Sequence, residues 1–379
     1  MDLIFGVILG LIVLVFLVVV HELGHAIVAR RNGVVVEEFG IGFPPRAWGR
    51  KLKNGVLFTL NWLPLGGFVK MQGEYDASDK KGDYGAAGFW AKTRILLAGV
   101  LINWLVAAVL LSILAISGLP KILDNQFSVA GDTTEVKQPV EIVDLVKKYP
   151  AEMAGLQPGD KIIRFANQPV PTVAQLINLT KLYKGKTVDV IYSRNNVESS
   201  TKVTLLDNTS GSIFGAGLGQ RELIRATWSA PIVGVATTGQ LTWATLQGLG
   251  GMIGNLASGL VLQFSPDAQT RATASNDIKS VSNGVAGPIG ILGTIFPQAE
   301  KAGATQFVFL TAVISLTLAV MNILPIPALD GGRWLTMTLF KLFKKPLTKT
   351  IEERIQATGF VILMGLVVLV TIADVSKIF

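Results

Sequence analysis

The chain has 379 residues, half of them hydrophobic and only 16% charged, with a mean hydropathy of +0.50. That excludes a disordered chain and sets it apart from soluble domains, in which roughly a quarter of residues are charged. With no cysteine there is no disulfide, thiolate metal site or cysteine nucleophile. The net charge of +8 (34 basic, 26 acidic) comes from residues beside apolar runs, where they mark the cytoplasmic side of a membrane rather than a nucleic-acid surface.

The first predicted element is a transmembrane helix over 3–20, charge-free and close to the roughly 20 residues needed to cross a bilayer. It lacks a basic n-region and a small-x-small cleavage site, so it reads as a retained span rather than a signal peptide. It continues into His21-Glu22-Leu23-Gly24-His25. Residues 34–71 follow. There Asn54-Gly55 signals a hairpin, and Leu63-Pro64-Leu65-Gly66-Gly67-Phe68-Val69-Lys70-Met71 continues as an apolar strand. Such a sheet is expected to dip into the membrane interface and to offer an edge to an extended substrate, unless it is a loop that only covers the helix ends. A second span covers 95–120.

Between 121 and about 210 charge returns and period-2 patterns appear. Strands are predicted at 141–146, 161–165, 188–192 and 197–206, and a short helix at 172–182. A turn at Asn195-Asn196 completes a small mixed α/β domain. The block Ala151-Glu152-Met153-Ala154-Gly155-Leu156-Gln157-Pro158-Gly159-Asp160-Lys161-Ile162-Ile163 resembles the AGL-x-PGD-x-I signature of bacterial PDZ domains, which bind extended peptide ends by strand addition. The alternative is a turn-rich linker that binds nothing. Residues 226–266 are uncharged but one-sided, with Trp243, Leu246, Leu249, Ile253, Leu256 and Leu260 forming one stripe. This helix is expected to lie in the interface or to pack on the bundle rather than span. The third and fourth spans are read at 302–329 and 355–373.

Basic residues set the direction. Arg30 to Arg94 crowd the first inter-span loop, and Arg333, Lys341, Lys344, Lys345, Lys349 and Arg354 crowd the last. Both loops are expected in the cytoplasm, with the N-terminus and the 121–301 segment outside.

His21-Glu22-x-x-His25 carries the chemistry. On a helix, positions i and i+4 share a face, so both imidazoles reach one metal ion while Glu22, one step round, serves as acid/base. These are the only two histidines in the chain. They sit at the end of a span, where ionisable groups are costly and usually functional. A bland reading leaves them at an interfacial helix end with no metal. Zinc needs a third protein ligand, and with no cysteine or further histidine it must be a carboxylate. Asp330, at the end of the third span, is the candidate, because the first and third spans run in the same direction and end at the same depth. A simple helix stop at Asp330-Gly331 is the alternative. Pro325 and Pro327 break the helix and free backbone groups, which with the Asn322 amide are expected to hold a substrate strand.

Taken together, HELGH at 21–25, LPLGGFVKM at 63–71, the PDZ-like block, GVAGPIG at 284–290 and NILPIPALDGG at 322–332 resemble the site-2 proteases, the intramembrane zinc metalloproteases, and in particular their bacterial RseP-like branch. The resemblance implies zinc on His21, His25 and Asp330, Glu22 as the catalytic acid/base, and substrate contacts from Asn322, Pro325 and Pro327. Asn103 is carried over from the second span, which reads Gly99-Val100-Leu101-Ile102-Asn103 where many relatives carry G-P-x-x-N.

The expected architecture is a polytopic α-helical membrane protein. It has four transmembrane helices, a membrane-associated β-sheet and one extracytoplasmic PDZ-like α/β domain. The expected domains are 1–120 (two spans, HELGH and hairpin), 121–210 (PDZ-like), 211–301 (extracytoplasmic connection with an amphipathic helix) and 302–379 (two spans and the NILPIPALDGG motif). The expected activity is hydrolysis, with one Zn2+ per chain, of peptide bonds in or near transmembrane segments of single-span proteins or signal-peptide remnants, in regulated intramembrane proteolysis at a bacterial inner membrane. The active site would lie near the cytoplasmic face, and the partners would be the lipid bilayer, membrane or peptide substrates and a peptide ligand of the PDZ-like domain. The alternatives are a non-enzymatic membrane scaffold and a metal transporter.

Overall fold

The computed structural model describes residues 2–74, 80–207, 212–284 and 286–378. The chain divides into two compact units, one formed by Met1–Leu114 with Pro231–Phe379, the other by Ala115–Ala230.

In chain order, helix α1 (Asp2–Arg31) is apolar nearly all round and leads into the antiparallel hairpin of β1 (Val36–Lys51) and β2 (Leu57–Met71). The hairpin turns at Asn54-Gly55, where Gly55 takes φ +87°. Its base packs on the end of α1 through Ala29, Val34, Val36, Val69 and Met71. Its far end leaves Phe43, Trp48, Trp62 and Leu63 exposed. β2 passes directly over α1 at Gly67, whose Cα faces Val18 and Glu22. Helix α2 (Phe89–Ser117) follows.

The Ala115–Ala230 unit contains β3 (Leu119–Pro120), β4 (Thr134–Lys137), β5 (Val140–Leu145), α3 (Pro150–Met153), β6 (Lys161–Phe165), β7 (Gln168–Pro169), α4 (Val173–Leu182), β8 (Thr187–Arg194), β9 (Val197–Thr204), β10 (Ala216–Gly219) and β11 (Glu222–Arg225). One sheet runs β10-β5-β6-β8-β9 with β7 paired to β6, and a second runs β3-β11-β4. Thr172 caps α4 by accepting the Gln175 N–H. Asn195 and Asn196, at φ 52° and 64°, make the β8–β9 turn, a conformation that asparagine tolerates. The core gathers Val140, Ile142, Leu156, Ile162, Phe165 and Leu176. Burial of each such side chain contributes about 1.5–3 kcal/mol. The Pro-Gly-Asp block is structural here. Asp160 is fully buried and accepts from Arg194 Nε at 2.7 Å, Arg194 Nη2 at 2.8 Å and the Gln157 N–H.

The remainder is helical: α5 (Ala230–Leu262), α6 (Ala268–Gly284), α7 (Pro288–Gly290), a π-helical turn at Ile291–Ile295, α8 (Phe296–Lys301), α9 (Ala304–Ile323), α10 (Asp330–Leu342) and α11 (Lys349–Ile378). Four helices of the described residues are long and apolar enough to cross a membrane: Leu3–Arg31, Phe89–Ser117, Ala304–Ile323 and Lys349–Val375. α5 packs on α2 through small and hydroxyl residues of its N-terminal half. Gly234 sits against Ser112, Thr242 accepts from Trp104 Nε1, and Trp243, Ile253 and Leu260 point outward. Small and hydroxyl residues let helix backbones approach closely where apolar surroundings supply no hydrophobic drive.

The expected third span, 302–329, is interrupted. α9 ends at Ile323, residues 324–329 are not helical, and Asp330 opens α10 rather than closing the span. The prolines at 325 and 327 account for the break, since neither can donate to a helix ladder. The two glycines after Asp330 let α10 nest in the break. A Cβ at Gly331 would lie 2.0 Å from Ile323 O, and one at Gly332 would lie 2.0 Å from Ile326 O.

Candidate metal centre

Helix periodicity puts His21 and His25 on one face of α1, one turn apart. Both are buried, at 8% and 7% exposure. The first residue of α10 brings Asp330 to the same place. His21 Nε2 lies 3.1 Å from Asp330 Oδ2, His25 Nε2 lies 3.3 Å from the same oxygen, and the two Nε2 atoms are 3.2 Å apart. Among the described residues, this is the group of His and carboxylate side chains compact enough to hold a metal ion.

Ligands roughly 2.0–2.1 Å from one tetrahedral ion are themselves about 3.3 Å apart, so all three edges of the triangle fit a single zinc ion. The donor chemistry fits as well. His25 Nδ1–H donates to Ile95 O at 2.7 Å, which leaves Nε2 with its lone pair free. His21 Nδ1 lies 3.4 Å from the Asn103 amide nitrogen. Asn103 is fully buried, and its Oδ1 has no hydrogen-bond partner. Turned over, the amide accepts from His21 Nδ1–H and orients that ring in the same way.

The fourth wall of the cage is the backbone of α2. A Cβ at Gly99 would lie 2.5 Å from His25 Nε2 and 2.6 Å from His21 Nε2. Gly99 and Asn103 are one turn apart, so one face of α2 gives both the space and the amide. Ser315 of α9 fixes that turn by donating to Asn103 O at 2.8 Å. Gly24 serves α1 in the same way, with Ala98 O 2.8 Å from its notional Cβ.

The other expected residues are placed less centrally. Glu22 lies under β2, its Cγ 3.4 Å from where a Cβ on Gly67 would be. Asn322 donates back to Leu318 O in its own helix at 3.0 Å, Pro325 is exposed and Pro327 packs on Gly359 of α11. A charged cluster behind Asp330 had no signal in the sequence. Arg333 donates to Glu74 Oε1 at 2.7 Å and to Glu352 Oε1 at 2.8 Å, and its guanidinium stacks 4.9 Å over the Tyr84 ring. Burial opposes the charge on Arg333, but Tyr84, Glu74 and Glu352 outweigh it and hold its pKa above the ordinary value. Burial pushes the Tyr84 phenol up to about 12.

Residues 9–366 match the family described as Peptidase family M50. The chain belongs to that family. Across its length this M50 chain is 31% identical, over 97% of itself and 98% of the relative, to a Clostridium perfringens protein named "Putative zinc metalloprotease CPE1693". It is 26% identical, over 96% of each chain, to "Zinc metalloprotease RasP" of Geobacillus kaustophilus. A solved PDZ domain of an SdrC-like protein from Listeria monocytogenes aligns with 24% of the chain and 93% of that domain, at 19% identity and a TM-score of 0.20. This M50 protein is thus a membrane zinc metalloprotease, with helices of spanning length and a His-His-Asp group compact enough to hold a metal ion.

Proposed function

We propose that this enzyme cleaves peptide bonds within or near transmembrane segments of single-span membrane proteins or signal-peptide remnants. One zinc ion per chain would be held by His21, His25 and Asp330. The observation that carries the assignment is the equal-sided triangle of His21 Nε2, His25 Nε2 and Asp330 Oδ2. Zinc, when bound, supplies Lewis acidity toward water and the scissile carbonyl.

The chain's own groups do the rest. The Glu22 carboxylate takes the proton of the attacking water and delivers it to the leaving amine. The Ile95 carbonyl and the Asn103 amide hold the two imidazoles, so Asn103 acts on His21 as well as facing substrate. A transmembrane substrate helix hides its peptide bonds in its own ladder and must unwind before attack. The edge of β2, which runs over Glu22, and the non-helical 324–329 segment with Asn322, Pro325 and Pro327 supply backbone partners for the opened strand.

Basic residues after α1 and around α10 support a site near the cytoplasmic face of a bacterial inner membrane. The N-terminus and the Ala115–Ala230 unit would then lie outside, the latter as a PDZ-like module for peptide ends.

The test is Glu22→Gln. Zinc content should stay at one per chain while cleavage of a model transmembrane substrate falls by at least roughly 100-fold. Normal cleavage by that variant overturns the assignment of Glu22, and a wild-type chain free of stoichiometric zinc overturns the metal site.

A further inference from the structure

Helix α11 is apolar and mostly exposed, yet three of its residues grip the segment around Asp330. Glu352 accepts from Arg333 Nε at 2.8 Å. Gln356 accepts the Ala328 N–H through Oε1 at 2.6 Å. At Gly359 a Cβ would lie 2.4 Å from Pro327 O, so the two backbones touch. Positions 352, 356 and 359 follow the i, i+4, i+7 rhythm of one helix face. Their partners at 333, 328 and 327 flank Asp330 on both sides.

The gripped segment does not hold this shape by local preference. Ala328 sits at φ +76°, a left-handed conformation that is unfavourable for a non-glycine residue and persists only where the surroundings impose it. Its N–H has no helical partner and is satisfied by Gln356. The Gln356 Nε2 atom is buried without a partner, so the polar contact of this side chain is the one its oxygen makes to Ala328.

We infer that Gln356 and Gly359 of α11 are positioning residues, which aim the Asp330 carboxylate at His21 and His25 by fixing the left-handed turn at Ala328. The inference rests on Asp330 being a metal ligand. α11 then has a defined task in a reaction it does not touch. Through it, displacement of the last span loosens the metal.

The experiment uses the full-length protein in detergent, titrated with Co2+ in place of zinc and followed by the visible d–d absorption, with zinc content measured in parallel. Gln356→Met removes the acceptor at similar volume, Gln356→Glu keeps it, and Gly359→Ala forces Pro327 away. Asp330→Ala tests the ligand assignment itself, and Leu369→Ala, on the exposed side of α11, is the control. The expected result is roughly 10-fold weaker metal binding with an altered spectrum in Gln356→Met and Gly359→Ala, recovery toward wild type in Gln356→Glu, and no change in Leu369→Ala. Helix content of the metal-free variants should match wild type. If Asp330→Ala weakens binding while Gln356→Met and Gly359→Ala bind with wild-type affinity and spectrum, the positioning role is overturned. If Asp330→Ala itself binds normally, the ligand assignment falls instead.

Discussion

At position 99 a hydrogen in place of a methyl group leaves room for two imidazoles, since a Cβ there would sit 2.5–2.6 Å from both Nε2 atoms. Real Cβ contacts are never so short, and both rings are held from behind, His25 by Ile95 O and His21 beside Asn103. The rings have little freedom to withdraw. Gly99→Ala is therefore expected to fold, since alanine favours a helix interior by about 1 kcal/mol over glycine, yet to lose roughly 10-fold or more in metal affinity. Competition against a zinc chelator measures this, and unchanged affinity would show that the rings can move aside. The sequence marked Gly99 only through its resemblance to a family motif. Its effect on the histidines comes from α2 crossing α1 at that level, which nothing in the residues nearby encodes.

Among the elements, the turn leading into α5 depends on one half-buried carboxylate. Asp132 accepts the Thr227 N–H at 2.9 Å and the Ser229 N–H at 3.1 Å, and both hydroxyls as well. The Ser229 and Thr227 hydroxyls lead the causes that hold its pKa down to about 2, below the ordinary value near 3.9. Because the folded pKa lies below the unfolded one, this cap is at full strength above about pH 4 and is lost as pH falls through about 2. Hydrogen exchange in the full chain should show the Thr227 and Ser229 amides protected at pH 7, less so in Asp132→Asn. The difference between the two proteins should shrink toward pH 2, and a constant difference would sink the assignment.

Asp374 of α11 plays a comparable part in the membrane unit. It accepts the Gly287 and Gly290 N–H groups, and a Cβ at either glycine would press on its carboxylate. Gly287 and Gly290 of the 284–290 motif thus serve a close approach to α11. A similar close approach serves α5, where Gly234 lies against Ser112 of α2.

For the whole molecule, His21 and Asp330 are 309 residues apart, so an ion held by both would tie the first helix to the penultimate one. Anything that binds only the folded form stabilises it by mass action, about 2.7 kcal/mol at a free concentration 100 times Kd. Chelation should abolish proteolysis and lower the unfolding temperature of the helical unit. Asp330→Ala should unfold at one temperature with or without zinc, and a metal-dependent shift in that variant would place the ion elsewhere.

The chain's own chemistry determined a good deal. Composition and uncharged runs called for membrane helices, and their counterparts in the structure have spanning length. Helix periodicity forced His21 and His25 onto one face, and the lack of cysteine and further histidine left a carboxylate as third ligand. These follow from local rules of spacing and solubility, which act within one or two turns of chain. Tertiary structure decided that Asp330 begins a helix after a proline-made break, that Gly99 and Asn103 lie against both histidines, and that Glu352 and Gln356 meet Arg333 and Ala328 on either side of Asp330. Those contacts join residues from 19 to 309 positions apart, and their existence depends on how helices cross, which only the packed chain defines.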